Sequence, residues 1–283
     1  MATFTNKATL TYNGGSTDSN TVVGNFAQTL TVTKTAVTDT YSDGSDITYI
    51  LSLVNSGANS LSGLTVTDNL GEYSFDGGTI VPLDYVDGSL RYYINGVLQP
   101  DLAVGTTPPL SVNGISVPAA GNVMLIYETA VNDYAPLDVD GSIINTVTVS
   151  GSSLAENVTA TETVNTLEQA LLSITKSLFP TTVAENGALT YTFVIQNSGN
   201  TAVVATDNAV VTDLFDPVLN ITSVTLDGVL LADGTDYTYN ATTGEFATSI
   251  GTITVPAATY TQNPDGTIVT VPGTVTLVVN GTI

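Results

Sequence analysis

Apolar and polar residues alternate along most of this chain, so that residues two apart share a face, which is the period of a half-buried β-strand. Gly, Asn and Asp break the alternation at intervals of roughly eight to twelve residues, and Thr, Val, Tyr and Ile fill much of what lies between. The pattern predicts strands at Leu30–Lys34, Ile47–Asn55, Leu64–Leu70, Leu90–Ile94, Val123–Val131 and Ile144–Ser150. Turns such as Asp43-Gly44, Asn95-Gly96 and Asp140-Gly141 join them. No long segment keeps a helical apolar period, and the one helical candidate is a short turn near Leu167–Ala170. The expected fold class is all-β, with immunoglobulin-like β-sandwiches as the architecture.

The chain repeats itself. Leu30-Thr-Val-Thr-Lys34 returns as Leu172-Ser-Ile-Thr-Lys176, Thr48-Tyr49 as Thr190-Tyr191, and Asn55-Ser-Gly57 as Asn197-Ser-Gly199. The spacing from Lys to that Asn is the same in both copies (55 − 34 = 21; 197 − 176 = 21). Val66-Thr-Asp68 returns as Val211-Thr-Asp213 and Asn95-Gly-Val97 as Asp227-Gly-Val229. Two tandem sandwiches are therefore expected, over residues 30–165 and 166–283, preceded by a donor strand at 1–13 and a Gly/Ser/Asn/Thr-rich linker at 14–29.

The two copies are expected to end differently. Ile115-Ser-Val-Pro118 leads into Val123–Val131 and then into Ile143–Ser150, whereas Val269-Thr-Val-Pro272, taken as its counterpart, leads into Val275–Ile283 and no further strand. The second domain should thus present an open sheet edge. The N-terminal stretch, with Phe4, Asn6, Ala8, Leu10 and Tyr12 on one face, parallels Ile144–Ser150 in order and pattern. It is expected to close the second domain of a neighbouring copy by strand addition, giving a head-to-tail homopolymer. The competing expectation is an extra edge strand within its own chain.

Two lysines, two aspartates and two asparagines at equivalent places carry the candidate chemistry. Lys34 shares a face with Leu30 and Val32, and Lys176 with Leu172 and Ile174, so both point where core residues point. Asp68 and Asp213 are inward by the same parity, as are Asn145, beside Val147 and Val149, and Asn6, beside Ala8 and Leu10. A buried ammonium needs a partner. A Lys–Asp ion pair with Asn nearby satisfies that need, and so does a covalent bond. The trio resembles the self-forming isopeptide crosslink of Gram-positive pilin and adhesin domains, in which a first-strand Lys attacks a last-strand Asn beside a carboxyl group. That resemblance implies Lys34 joined to Asn145 with Asp68 assisting, and Lys176 joined to Asn6 of another copy with Asp213 assisting. Glu128, matched in parity to Met124 and Ile126, is a rival acid.

The ordered set Thr-Lys, Thr-Tyr, Asn-x-Gly and Val-Thr-Asp resembles the bacterial cell-surface repeat family known as domain of unknown function eleven. The resemblance implies an immunoglobulin-like surface repeat. Clostridial spore-appendage subunits are a looser likeness, and imply a fibre on a spore or other extracellular surface. A surface adhesin that binds glycan or protein is the alternative function.

Composition narrows the field. With 26 acidic residues against four basic ones the net charge is −22, which leaves almost no cations to neutralise phosphates and excludes nucleic acid as a partner. Neither Cys nor His is present, which removes disulfides and the usual nucleophile–base pairs, so no enzyme and no cofactor or metal centre is expected. Acidic loops at Asp138–Gly141, Asp233–Asp236 and Asn263–Gly266 admit divalent cations but lack the full EF-hand pattern. No apolar run is long enough to insert in a membrane as a helix, and Met-Ala-Thr-Phe-Thr-Asn-Lys reads as no signal peptide.

Overall fold

The structure, a computed structural model, describes residues 3–25, 27–106 and 108–283. The chain folds into two compact units. One runs to Pro136 and resumes over Gly141–Thr166; the other comprises Leu137–Asp140 and Leu167–Ile283. Both are β-sandwiches of immunoglobulin-like character, as the period-two alternation predicts.

The first unit begins with a hairpin, β1 (Thr3–Asn6), β2 (Thr9–Tyr12), β3 (Gly15–Asp18) and β4 (Val22–Asn25). Its sandwich contains β5 (Leu30–Ala36), β6 (Asp46–Asn55), β7 (Leu61–Asp68), β8 (Arg91–Ile94), β9 (Val97–Leu98), β10 (Leu110–Val117), β11 (Asn122–Val131), β12 (Ser142–Ser150) and β13 (Val158–Thr166). One sheet runs β9-β8-β11-β6-β5. The other runs from the short strand Val104–Gly105 through β10, β7, β12 and β13 to Thr40–Tyr41. Leu30, Val32, Leu51, Leu64, Val66, Leu125, Val147 and Val149 fill the space between them. Each fully buried aliphatic side chain contributes roughly 1.5–3 kcal/mol over exposure.

The second unit holds β14 (Leu172–Phe179), β15 (Ala188–Asn197), β16 (Thr212–Leu214), β17 (Asn220–Leu226), β18 (Val229–Leu230), β19 (Tyr237–Tyr239), β20 (Glu245–Thr248), β21 (Thr259–Gln262), β22 (Ile268–Val271) and β23 (Gly273–Thr282). Its larger sheet runs β18-β17-β23-β15-β14, which reproduces β9-β8-β11-β6-β5 strand for strand. The turns repeat too. Asn95-Gly96 and Asp227-Gly228 both place their two residues at positive φ (48° and 80° in each), the geometry of a two-residue hairpin turn. The smaller sheet runs β16-β20-β19, over a core of Phe193, Ile195, Phe215, Phe246, Leu277 and Val279.

The Asn-x-Gly repeat is a buried clasp. The Asn55 carboxamide donates to the Asn59 and Pro118 carbonyls (2.8 and 3.0 Å) and accepts from the Gly57 N–H (2.9 Å). Asn197 donates to the Thr201 and Pro256 carbonyls (2.8 and 3.1 Å) and accepts from the Gly199 and Leu171 N–H groups (3.0 and 2.9 Å).

Four expectations are corrected. The counterpart of Ile115-Ser-Val-Pro118 is Ile253-Thr-Val-Pro256, because Pro118 and Pro256 accept from the two equivalent asparagines and Val255 bridges Val203 as Val117 pairs with Leu61. Val269-Thr-Val-Pro272 belongs instead to the inserted hairpin β21–β22 and its exit. Residues 15–18 and 22–25, read from composition as linker, are strands paired with β2 and β1. Leu167–Ala170 forms no helical turn: Asn200 Oδ1 holds the Gln169 N–H (3.0 Å) and Asn197 Oδ1 the Leu171 N–H (2.9 Å), so side chains rather than a helical ladder take these donors. Glu128 is exposed, since the core face of β11 is Val123, Leu125, Tyr127, Thr129 and Val131.

Candidate functional site

In the first unit Lys34 from one sheet and Asp68 and Asn145 from the other all point into the buried space between the sheets. β5 delivers Lys34 with Leu30 and Val32, and β7 delivers Asp68 with Leu64 and Val66. The β7–β12 register sets Val147 opposite Asp68, so Asn145 lies one same-face position along from that pair. Lys34 Nζ is 2.6 Å from Asp68 Oδ2, with the two side chains 0% and 1% exposed. Asp68 Oδ1 accepts from the Leu70 N–H (2.8 Å), and Oδ2 also accepts from the Tyr127 hydroxyl in a short bond. Nζ stands 4.5 Å from the centroid of the Tyr49 ring.

Asn145 is fully buried, and among the described residues neither its carboxamide atoms nor the buried Tyr49 hydroxyl has a partner at hydrogen-bond geometry, although the amide lies near enough to Tyr49 to oppose the rise in that hydroxyl's pKa. An unpaired buried amide is costly, on the order of 1–3 kcal/mol per group. Burial pulls the Lys34 amine down to about 8, against the opposing pull of Asp68 and Glu162. Burial likewise pushes the Tyr49 and Tyr127 hydroxyls up, with the Asp68 carboxylate adding to the effect. The pocket therefore holds an amine that loses its proton readily, a carboxyl group in contact with it, and an unsatisfied primary amide. Those are the three parts of amide exchange.

The second unit repeats two of the three. Lys176 Nζ pairs with Asp213 Oδ2 and stands 4.5 Å from the Tyr191 ring centroid, as Lys34 does from Tyr49. Here the Lys side chain is 39% exposed. Asn6, the sequence-predicted third member, lies on β1 and is exposed, together with Phe4 and, on β2, Leu10 and Tyr12; Ala8, between the two strands, is exposed as well. Tyr49 and Tyr127 are the site residues that sequence reasoning passed over. Their inward parity with Ile47 and Leu51, and with Leu125, is the signal that marks them.

Beside Asp213 the second unit differs from the first in a defined way. β7 is paired on both sides, by β10 and β12, whereas β16 is paired only with β20 among the described residues. The face that β13 covers on β5 is uncovered on β14: Leu30 and Val32 are 2% and 8% exposed, but Leu172 and Ile174 are 46% and 53% exposed. An apolar cleft lined by Leu172, Ile174, Ile195, Val210, Val211 and Ile253 opens there.

The acidic loops are occupied as turns. Asp236 accepts from the Ala232 N–H (2.8 Å) and Asp265 from the Thr267 N–H (3.0 Å) and hydroxyl (2.7 Å), and no group of three metal-ligating side chains occurs among the described residues.

No protein-family model and no curated protein matches the chain. Solved structures similar to it include BcpA, the major pilin subunit of Bacillus cereus, at 11% identity and a TM-score of 0.36 over 96% of this chain and 73% of that one. The pilus backbone RrgB from Streptococcus pneumoniae is similar at 13% identity and a TM-score of 0.34, over 90% of this chain and 49% of that one. The N-terminal domain of the Streptococcus gordonii adhesin Sgo0707 is similar at 17% identity and a TM-score of 0.35, over 48% of this chain and 32% of that one. This chain thus spans about a third of the adhesin structure's length and half of the RrgB structure's. Likenesses of this depth carry no functional argument.

Proposed function

We propose that the protein is the structural subunit of an extracellular or spore-surface fibre, polymerising head to tail as one copy inserts its N-terminal strand into the C-terminal unit of the next. The observation that carries this reading is the open edge of β16 beside the uncovered face of β14, where the first unit has its own strands in place. An unpaired edge is a template for strand addition. Asn6-Lys-Ala-Thr-Leu10 has the alternation of Asn145-Thr-Val-Thr-Val149, the segment that pairs with β7 in the first unit. A contact between unlike surfaces propagates as an open filament.

Covalent fastening belongs to the same reading. Lys34 passes a proton to Asp68, and the neutral Nζ attacks the Asn145 carboxamide carbon. A new C–N bond forms, Asp68 gives its proton to the Nδ2 leaving group and takes the surplus proton from Nζ, and the old C–Nδ2 bond breaks, so one ammonia departs and a secondary amide remains beside the protonated Asp68. Burial of the amine favours the first step. The equivalent bond in the second unit joins Lys176 to Asn6 of another copy, with Asp213 in the role of Asp68, and makes the fibre covalent.

Electron microscopy of the purified chain tests the assembly. Fibres from the full chain and monomers from a variant lacking residues 1–13 are expected. Equal polymerisation by that variant would remove strand donation, and stable monomers of the full chain would favour an adhesin that works singly.

A further inference from the structure

We infer that the element one copy gives to the next is the whole hairpin Thr3–Asn25, whose two long arms take the places that β12 and β13 hold in the first unit. The inference rests on the strand-donation reading above and deepens it by naming what is donated.

Among the described residues the acceptor is short of two strands that the first unit has. In the first unit β12 pairs with β7, and β13 packs across β5, sealing Leu30, Val32 and Lys34. A single strand added at β16 takes only the place of β12. It leaves Leu172, Ile174 and the 39% exposed Lys176 side chain in contact with water, because the layer that covers their counterparts is β13.

The donor has two strands. β1 pairs with β4 and β2 with β3, so that residues 3–12 and 15–25 form one long antiparallel hairpin closed at Asn13-Gly14, where Gly14 has φ 134°. β12 and β13 are paired antiparallel in the same sense. With Asn6 set on Asn145, the partners fall into step: Asn145 faces Glu162, 17 residues on (162 − 145), and Asn6 faces Val22, 16 residues on (22 − 6). The second arms also lead alike into the next domain. Thr166 precedes Leu172 by six residues (172 − 166) and Asn25 precedes Leu30 by five (30 − 25).

Charge and order favour docking as a unit. The whole chain carries −22, yet Lys7 and Asp18 are the hairpin's sole ionised side chains and they pair with each other at 2.6 Å, so the hairpin enters a second acidic copy as a neutral body. Val22 stands where Glu162 stands in the first unit, so the donated arm brings no further carboxylate to the Lys176–Asp213 pair. A hairpin already paired loses less freedom on binding than a free strand.

The absence of native cysteine makes the test direct. Val22→Cys is combined in turn with Ile174→Cys and with Leu178→Cys on the inward face of β14, and Val23→Cys with Ile174→Cys serves as the outward-facing control. Val22, Val23 and Ile174 are exposed in the single chain, so these exchanges leave its core intact. After assembly and oxidation with copper phenanthroline, a non-reducing gel is expected to show a disulfide ladder for at least one Val22 pair, at least tenfold stronger than for the control. Fibres without a ladder from either Val22 pair overturn hairpin donation while leaving single-strand donation in place. A disulfide closed inside one chain overturns exchange between copies. Absence of fibres under reducing conditions, where no disulfide forms, overturns the reading on which the inference rests.

Discussion

Lys34 and Lys176 occupy the same position on equivalent strands, each stands 4.5 Å from an equivalent tyrosine ring and each pairs with an equivalent aspartate, yet the first is sealed and the second is 39% exposed. The difference lies in what covers them. β13 packs over the first, and among the described residues the second unit has no strand in that place.

The sealed cluster predicts a mass. The denatured monomer of the native chain is expected to weigh less than its sequence by one ammonia, and Lys34→Ala, Asn145→Ala and Asp68→Ala are each expected to restore the sequence mass. A full sequence mass in the native chain leaves a buried ion pair as the whole content of the site.

Removing one partner of that pair should cost stability whether or not the bond forms. Lys34→Ala strands Asp68 in the core with only the Tyr127 hydroxyl and the Leu70 N–H for company, and a loss of about 3–5 kcal/mol in chemical denaturation is expected. Replacing both, as Lys34→Met with Asp68→Leu, should recover much of it.

The lowered Lys34 pKa gives a pH signature. In Asn145→Ala the amine persists, folded at about 8 against an ordinary 10.5, so between those values the unfolded chain binds more protons and stability rises with pH, by about 3 kcal/mol in all. The Asn145→Ala, Lys34→Met double variant supplies the baseline, since it lacks only the amine and keeps Asp68, Glu162, Tyr49 and Tyr127 around position 34. A flat difference between the two variants across this range contradicts the shift.

Asn6→Ala separates holding from fastening. Fibres of this variant are expected to assemble and then to fall to monomers in hot detergent, where native fibres leave ladders. Resistance unchanged by the substitution removes the Lys176–Asn6 bond and spares strand donation.

The clasp asparagines should behave as structural residues. Asn197→Ala frees the Pro256 and Thr201 carbonyls and the Leu171 and Gly199 N–H groups together, and a loss on the order of 3 kcal/mol is expected from calorimetry, with no change in the mass signature of the first unit.

Much of this was legible in the alternation alone. Lys34, Asp68 and Asn145 each sit among apolar residues two apart, and in a strand that is enough to assign a face. The same rule erred at Glu128, because Met124 and Ile126 are half-buried on the outer side of β11 and imitate a core face. The paired strands at 15–18 and 22–25 were hidden for the opposite reason: Gly, Ser, Asn and Thr pair through their backbones while all but Val22 and Val23 lack the large apolar side chains that betray a strand. Val269-Thr-Val-Pro272 misled because an inserted hairpin happened to end on the tetrapeptide pattern of Ile253–Pro256, and only the carbonyl that Asn197 grips tells them apart.

The near-equal spacers, five residues from Asn25 to Leu30 and six from Thr166 to Leu172, bear on mechanics. If the hairpin is what passes between copies, the joint between molecules is no longer than the joint within one. Such a fibre then has spacers of nearly equal length at every domain boundary, and its bending rigidity is expected to be periodic in single domains rather than in whole chains.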